Sequence, residues 1–103
     1  MNRLTKKLAD LKNDNKKALV AYLVAGDPDI DTTIKLMNLF VKSGVDILEI
    51  GVPFTDPIAE GPIIQKAHDR ALKKDVSLKL IFDMIQKFRD VDNTTPVVLM
   101  GYL

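Results

Sequence analysis

Three runs dominated by apolar and β-forming residues divide the chain: ALVAYLVA (18–25), VDILEI (45–50) and PVVLMGYL (96–103). Continuous apolar runs of this length read as strands covered on both faces, the pattern of parallel α/β sheets. Between the runs the period changes to that of a helix. Leu4, Leu8 and Leu11 recur among charged residues and predict a short amphipathic helix over about residues 2–13. Ile30, Ile34, Met37 and Val41 form a second stripe, with Asp29 or Asp31 as its cap and Ser43-Gly44 as its stop. Gly61-Pro62 opens a third helix, with proline in the first turn, where its missing N–H costs little, and Ile64, Ala67 and Ala71 supply the apolar side. After Ser77, a fourth stripe is expected on Leu78, Ile81, Phe82, Ile85 and Phe88.

The expected order is helix, strand, helix, strand, helix, helix, strand. Strands alternating with helices imply parallel βα units joined by right-handed crossovers. Three strands do not close a barrel of eight, so they make a small open sheet or a piece of something larger. Neither a linker nor an internal repeat divides the 103 residues, which are read as one domain spanning 1–103.

Composition narrows the chemistry. Fifteen basic and 14 acidic residues in mixed runs leave a net charge of +1, which argues against a nucleic-acid or anionic-membrane partner. With no cysteine, disulfides, thiolate catalysis and cysteine-bound zinc are excluded, and a single histidine, His68, makes a histidine metal site improbable. MNRLTKKLADLKNDNKK at the N-terminus is polar, without the apolar core of a signal peptide. A cytoplasmic location is the expectation.

The candidate chemistry lies at the strand ends. Alternation along a strand puts Val45, Ile47 and Glu49 on one face, and Asp46, Leu48 and Ile50 on the other. Glu49 therefore shares an apolar face yet stands at the C-terminal tip, where (β/α) barrels place catalytic groups. A partly desolvated carboxyl group there suits general acid–base work, although a glutamate at a solvated loop edge gives the same pattern. The loop GVPFTDPIAEGP is restricted by Pro53, Pro57 and Pro62 and could hold Asp56 or Glu60 over the sheet's edge. On its own, Glu60 reads more readily as a favourable charge ahead of a helix N-terminus. Mid-helix, beside Lys66, Asp69 and Arg70, His68 is expected on a solvated face. Asp27 suits either a turn or a substrate contact. Tyr22, Met100 and Tyr102, near strand tops, suit either a pocket or core packing. No dinucleotide fingerprint, P-loop or Ser/His/Asp set is present.

The stretch LEIGVPFTDPIAEGPIIQ resembles the signature of the tryptophan synthase alpha chain family, a glutamate-ending strand followed by G-[IV]-P-[FY]-[ST]-D-P-x-A-D-G-P-x-I-Q. The similarity extends to VAGDP after the first strand, SGVDILEIG into the second and P-x-x-L-M-x-Y at the third, and so across essentially the whole chain. It implies an α/β fold of parallel βα units belonging to a (β/α)8 TIM barrel, three of its eight strands being present. It implies a lyase that cleaves indole-3-glycerol phosphate to indole and glyceraldehyde 3-phosphate by a retro-aldol reaction. No cofactor is implied in this chain; indole passes to a pyridoxal-phosphate-dependent beta chain as partner.

By position, Glu49 matches the family's acid/base, which protonates the indole ring at the carbon bearing the side chain. Glu60 matches the second acid, which accepts from the indole N–H. Tyr22, Ile64, Met100 and Tyr102 match substrate-binding positions, and the 53–60 loop matches a segment facing the beta chain.

Two departures stand out. Position 60 is glutamate where the family has aspartate, and one methylene moves a carboxylate by about 1 Å, enough to cost ~100-fold in rate if uncompensated. The chain also ends at its third strand, before the barrel's phosphate-binding loops. The expectation is an N-terminal fragment of an alpha chain, inactive alone. The alternative is a non-catalytic partial-barrel module that self-associates through its open sheet edges and uncovered apolar face.

Overall fold

The structure is a computed structural model that describes residues 2–54 and 61–101. Helix α1 (Arg3–Asn13) precedes strand β1 (Val20–Val24), helix α2 (Ile30–Lys42) and strand β2 (Ile47–Gly51). Helices α3 (Gly61–Leu72) and α4 (Leu78–Val91) then lead to strand β3 (Val97–Met100). The seven elements follow the order expected from the alternation of period. Among the described residues all three strands are parallel, in spatial order β1-β2-β3, with β2 in the centre.

Local chemistry sets the boundaries. Asp29, not Asp31, caps α2: its Oδ1 accepts from Thr32 N–H at 2.7 Å. That amide bond is the main reason the Asp29 carboxyl lies below its ordinary range. Ser77 caps α4 by accepting from Leu80 N–H, and Asn2 caps α1 through Thr5 N–H. Gly44 leaves α2 at φ 111°, a conformation that L side chains resist, so glycine is what lets the chain turn directly into β2.

Register sorts the side chains. Tyr22 of β1, Glu49 of β2 and Val98 of β3 lie in one row across the sheet, while Leu48 pairs with Ala21 and Val97. The face bearing Leu48 and Ile50 packs under α2 and α4, in a cluster with Ala25, Met37, Ile81, Met84 and Phe88. Glu49 and Gly51 belong to the other face. Helix α3 does not join the α2–α4 layer. Its Ala67 and Ala71 meet Val24 at the end of β1, together with Tyr22, Ile64 and Val76.

Helix α1 is held at the opposite, N-terminal ends of the strands. Arg3 donates to the carbonyl and side chain of Asn93, ahead of β3, and Lys7 stands 3.8 Å from Asp46, ahead of β2.

The turn from α4 into β3 is tied by Asp92, whose carboxylate accepts from the amides of Thr94 and Thr95 and from both their hydroxyls. Burial pushes that carboxyl up, but the Thr95 and Thr94 donors outweigh it and hold it below its ordinary value. Arg89 reaches the carbonyls of Asp92 and Thr95, which brings the chain into β3.

Helix α4 departs from its expected stripe. Leu78 and Phe82 are exposed, and Met84, which the pattern did not single out, is buried instead. Ile81, Met84 and Phe88 recur at helical spacing, so the buried face is rotated from the one that a count of apolar residues suggests. Phe88 is 0% exposed and Phe82 53%. Phe88→Ala should therefore cost about 3–5 kcal/mol, whereas Phe82→Ala should stay within roughly 0.5 kcal/mol. The shift in denaturant midpoint for each variant measures this.

Candidate functional site

The C-terminal ends of the strands bring several of the expected residues together. Glu49, one residue before the buried Ile50, is half-buried and lies between Tyr22 and Val98 on the face that the α2–α4 layer leaves uncovered. One row further on, Gly51 pairs with Val24 and Met100. Met100 is exposed, so core packing does not account for it. Ile64 comes down from α3 beside Tyr22 and Val24. A carboxyl group is thus flanked by a phenol and aliphatic side chains, an arrangement suited to binding a flat apolar molecule and exchanging a proton with it. Glu60, Asp56 and Tyr102 lie outside the described residues.

Gly51 explains how Tyr22 occupies this position. A Cβ at residue 51 would collide with the Tyr22 hydroxyl oxygen and come within 2.7 Å of its Cζ. The phenol therefore lies directly against the β2 backbone, two residues beyond Glu49, in space that any side chain would fill.

Among the described residues, two polar links hold α3 over the strand ends. Arg70 donates to Asp27 through both Nε (2.6 Å) and Nη2 (3.0 Å), a bidentate fork between α3 and the turn after β1. The Asp27 hydrogen bond holds the Arg70 guanidinium's pKa above its ordinary value. Of the two roles open to Asp27, the structure gives it the structural one.

The second link corrects an expectation. His68 is not on a solvated face; it is 1% exposed. Its Nδ1 accepts from Phe54 N–H at 2.9 Å, and its Nε2 lies 3.3 Å from the Tyr22 hydroxyl. The charged neighbours Lys66, Asp69 and Arg70 suggested a solvated position, but Ile64, Ala67, His68 and Ala71 form a single helical stripe. That spacing was the available signal. A histidine is tolerated on the stripe because the loop and Tyr22 supply its hydrogen-bond partners.

Among the described residues, no group of three or more His, Asp or Glu side chains is placed to hold a metal ion, and no helix is long and apolar enough to cross a membrane.

Residues 8–103 match the family model described as tryptophan synthase alpha chain. The alpha chain of Neisseria meningitidis serogroup B is 54% identical over 103 residues, which are all of this chain and 39% of that relative. The crystal structure of tryptophan synthase subunit alpha from Legionella pneumophila strain Paris superposes with a TM-score of 0.96 at 50% identity, covering 99% of this chain and 39% of that one. A tryptophan synthase a2b2 complex from Pyrococcus furiosus superposes with a TM-score of 0.74 at 42% identity, over 82% of this chain and 34% of that one. The chain thus spans about two-fifths of the curated relatives' length. Its three parallel units correspond to part of their TIM barrels.

The close approach at Gly51 gives a test of the site's construction. Gly51→Ala should cost about 1–3 kcal/mol through overpacking. Much of that cost should disappear when Tyr22 is also alanine, a coupling of about 1 kcal/mol or more in a double-mutant cycle. Additive costs would mean that Tyr22 does not lie over residue 51.

Proposed function

The chain belongs to the tryptophan synthase alpha chain family, and on that premise we propose that it carries the proton-transfer part of a carbon–carbon lyase acting on indole-3-glycerol phosphate. Glu49 serves as acid/base. As an acid it protonates the indole carbon bearing the glycerol phosphate side chain; that carbon becomes tetrahedral and the positive charge spreads to the ring nitrogen. A base then takes the proton of the hydroxyl adjacent to the ring, the side chain leaves as glyceraldehyde 3-phosphate, and the electron pair returns to the ring as indole.

Glu60 accepts from the indole N–H, where a negative charge stabilises the developing cation. Tyr22, Ile64, Met100 and Tyr102 form the walls around the ring. No cofactor enters these steps. The beta chain is the proposed partner, by analogy with the Pyrococcus furiosus a2b2 complex, and a cytoplasmic location belongs to the same reading.

The observation that carries this reading is the row Tyr22–Glu49–Val98 at the C-terminal end of a parallel sheet, on the face that the α2–α4 layer leaves uncovered. A carboxyl group flanked by an aromatic and an aliphatic side chain has no packing purpose there.

The 103 residues are proposed as a single N-terminal barrel portion that is inactive by itself. A second reading draws on a separate observation: Val20, Val98, Leu99 and Met100 are exposed apolar residues on the sheet. Copies of the chain would cover that surface by associating with one another.

One experiment addresses both. Residues 1–103 are assayed alone for release of indole from indole-3-glycerol phosphate, and again joined to the remaining barrel units of the Legionella pneumophila relative. The chain alone should give no turnover, and the chimera should release indole. Glu60→Asp should raise the chimera's rate, by up to ~100-fold if a displaced carboxylate limits it. A soluble, folded chimera without indole release would overturn the lyase reading. Light scattering that finds the isolated chain as a dimer or larger would favour the associating module.

A further inference from the structure

Among the described residues, His68 is the one deeply buried ionisable side chain near the site that the proposed reaction does not use. It sits at a junction. Helix α3 supplies the imidazole, β1 supplies the Tyr22 phenol, and the segment leaving β2 supplies the Phe54 amide. An amide N–H can only donate, so Nδ1 must present its lone pair to Phe54. The imidazole proton then resides on Nε2 and is donated to the Tyr22 oxygen. One ring thus fixes the rotation of the phenol and the path of the backbone leaving β2.

Gly51 provides a floor without a side chain, which permits the close approach of the ring to the β2 backbone. The hydrogen bond to His68, at 3.3 Å, adds a directional contact at the hydroxyl end of the ring. The Asp27–Arg70 fork keeps α3 in place, and with it the imidazole.

We propose that His68 is a positioning residue that sets Tyr22 beside Glu49 and anchors the exit of β2 through Phe54, so that the aromatic wall of the pocket and the start of the loop are fixed by one imidazole. The inference rests on the proposed indole site for the purpose of the wall. Its geometry does not depend on that purpose.

The test uses the 103-residue chain, in which His68 is the sole histidine and gives an unambiguous ring signal in nitrogen-15 NMR. The ring should be protonated on Nε2 and bare on Nδ1, with a coupling across the hydrogen bond from the Phe54 amide. Two variants separate the two contacts. His68→Asn puts a carbonyl oxygen near the Nδ1 position but is too short to reach Tyr22. His68→Gln reaches the Nε2 position and leaves Phe54 without its acceptor.

In His68→Asn, hydrogen exchange of the Phe54 amide should change little, while the Tyr22 ring signals shift and affinity for indole, used as the probe, falls about tenfold, the effect of one lost neutral hydrogen bond. In His68→Gln the pattern should reverse: Phe54 exchange rises about tenfold and indole affinity stays nearer to that of the parent. The Ala25 amide, bonded to the Gly51 carbonyl at 2.9 Å, serves as the control for the fold.

A merely structural histidine would move Phe54, Tyr22 and Ala25 together in both variants, and that result overturns the proposal. So does a ring protonated on Nδ1. If indole binds no version while the ring and amide signals behave as described, the indole site fails and the positioning role of His68 stands.

Discussion

Successive side chains of β2 must point to opposite faces of the sheet, and hydrogen bonding to a strand on each side holds it in one register. Leu48 and Ile50 therefore go beneath α2 and α4, while Glu49 and Gly51 face the other way. A slip of one residue would exchange the two sets and force the Glu49 carboxylate into a cluster of Met, Ile and Phe side chains. An unpaired charge in such a place costs several kcal/mol, a large share of a domain's whole stability. The apolar cluster therefore does more than stabilise the chain. It decides on which face the carboxyl group appears, and so where any chemistry can take place.

On that other face lies the candidate site. Helix α3 covers only the ends of the strands, not the sheet, and it does so with small residues, Ala67 and Ala71, that let it approach closely. The helix is pinned by polar contacts to turns, Asp27 to Arg70 and Phe54 to His68. Tyr22 is caught between these contacts and the bare backbone of Gly51. The aromatic residue paired with Glu49 across the sheet is thus held by backbone, helix and loop together, the kind of support that fixes the position of a side chain. At the opposite end of the strands, α1 and the Asp92 turn have no part in this and serve stability, as is usual for the N-terminal face of such barrels.

Much of this was legible in the residues. The three apolar runs and the change of period between them gave the described elements in order; Gly44 marked the end of α2 and Ser77 the start of α4, while the cap of α2 stayed open between Asp29 and Asp31 until the structure chose Asp29. Alternation alone put Glu49 on the face opposite Leu48. The stripe on α4 was misread at Leu78, Phe82 and Met84 because large apolar residues lie on both sides of that helix and only packing chooses between them. His68 was misread for the converse reason: its charged sequence neighbours outweighed a stripe that already contained it. Nothing local to position 51 reveals that its hydrogen makes room for a phenol 29 positions earlier, since register, which is a tertiary fact, brings the two together. The family resemblance supplied what periodicity lacked, a reason for two carboxylates on either side of a proline-rich loop.

The central claim is that the carboxyl group presented by β2 transfers the proton. The direct measurement is single-turnover cleavage of indole-3-glycerol phosphate by the chimeric barrel, comparing Glu49 with Glu49→Gln, a change that keeps the shape and removes the acid. The account predicts that substrate still binds, with affinity altered little, and that the chemical step slows by about 10²–10⁴-fold. Cleavage at the parental rate by the glutamine variant would contradict it.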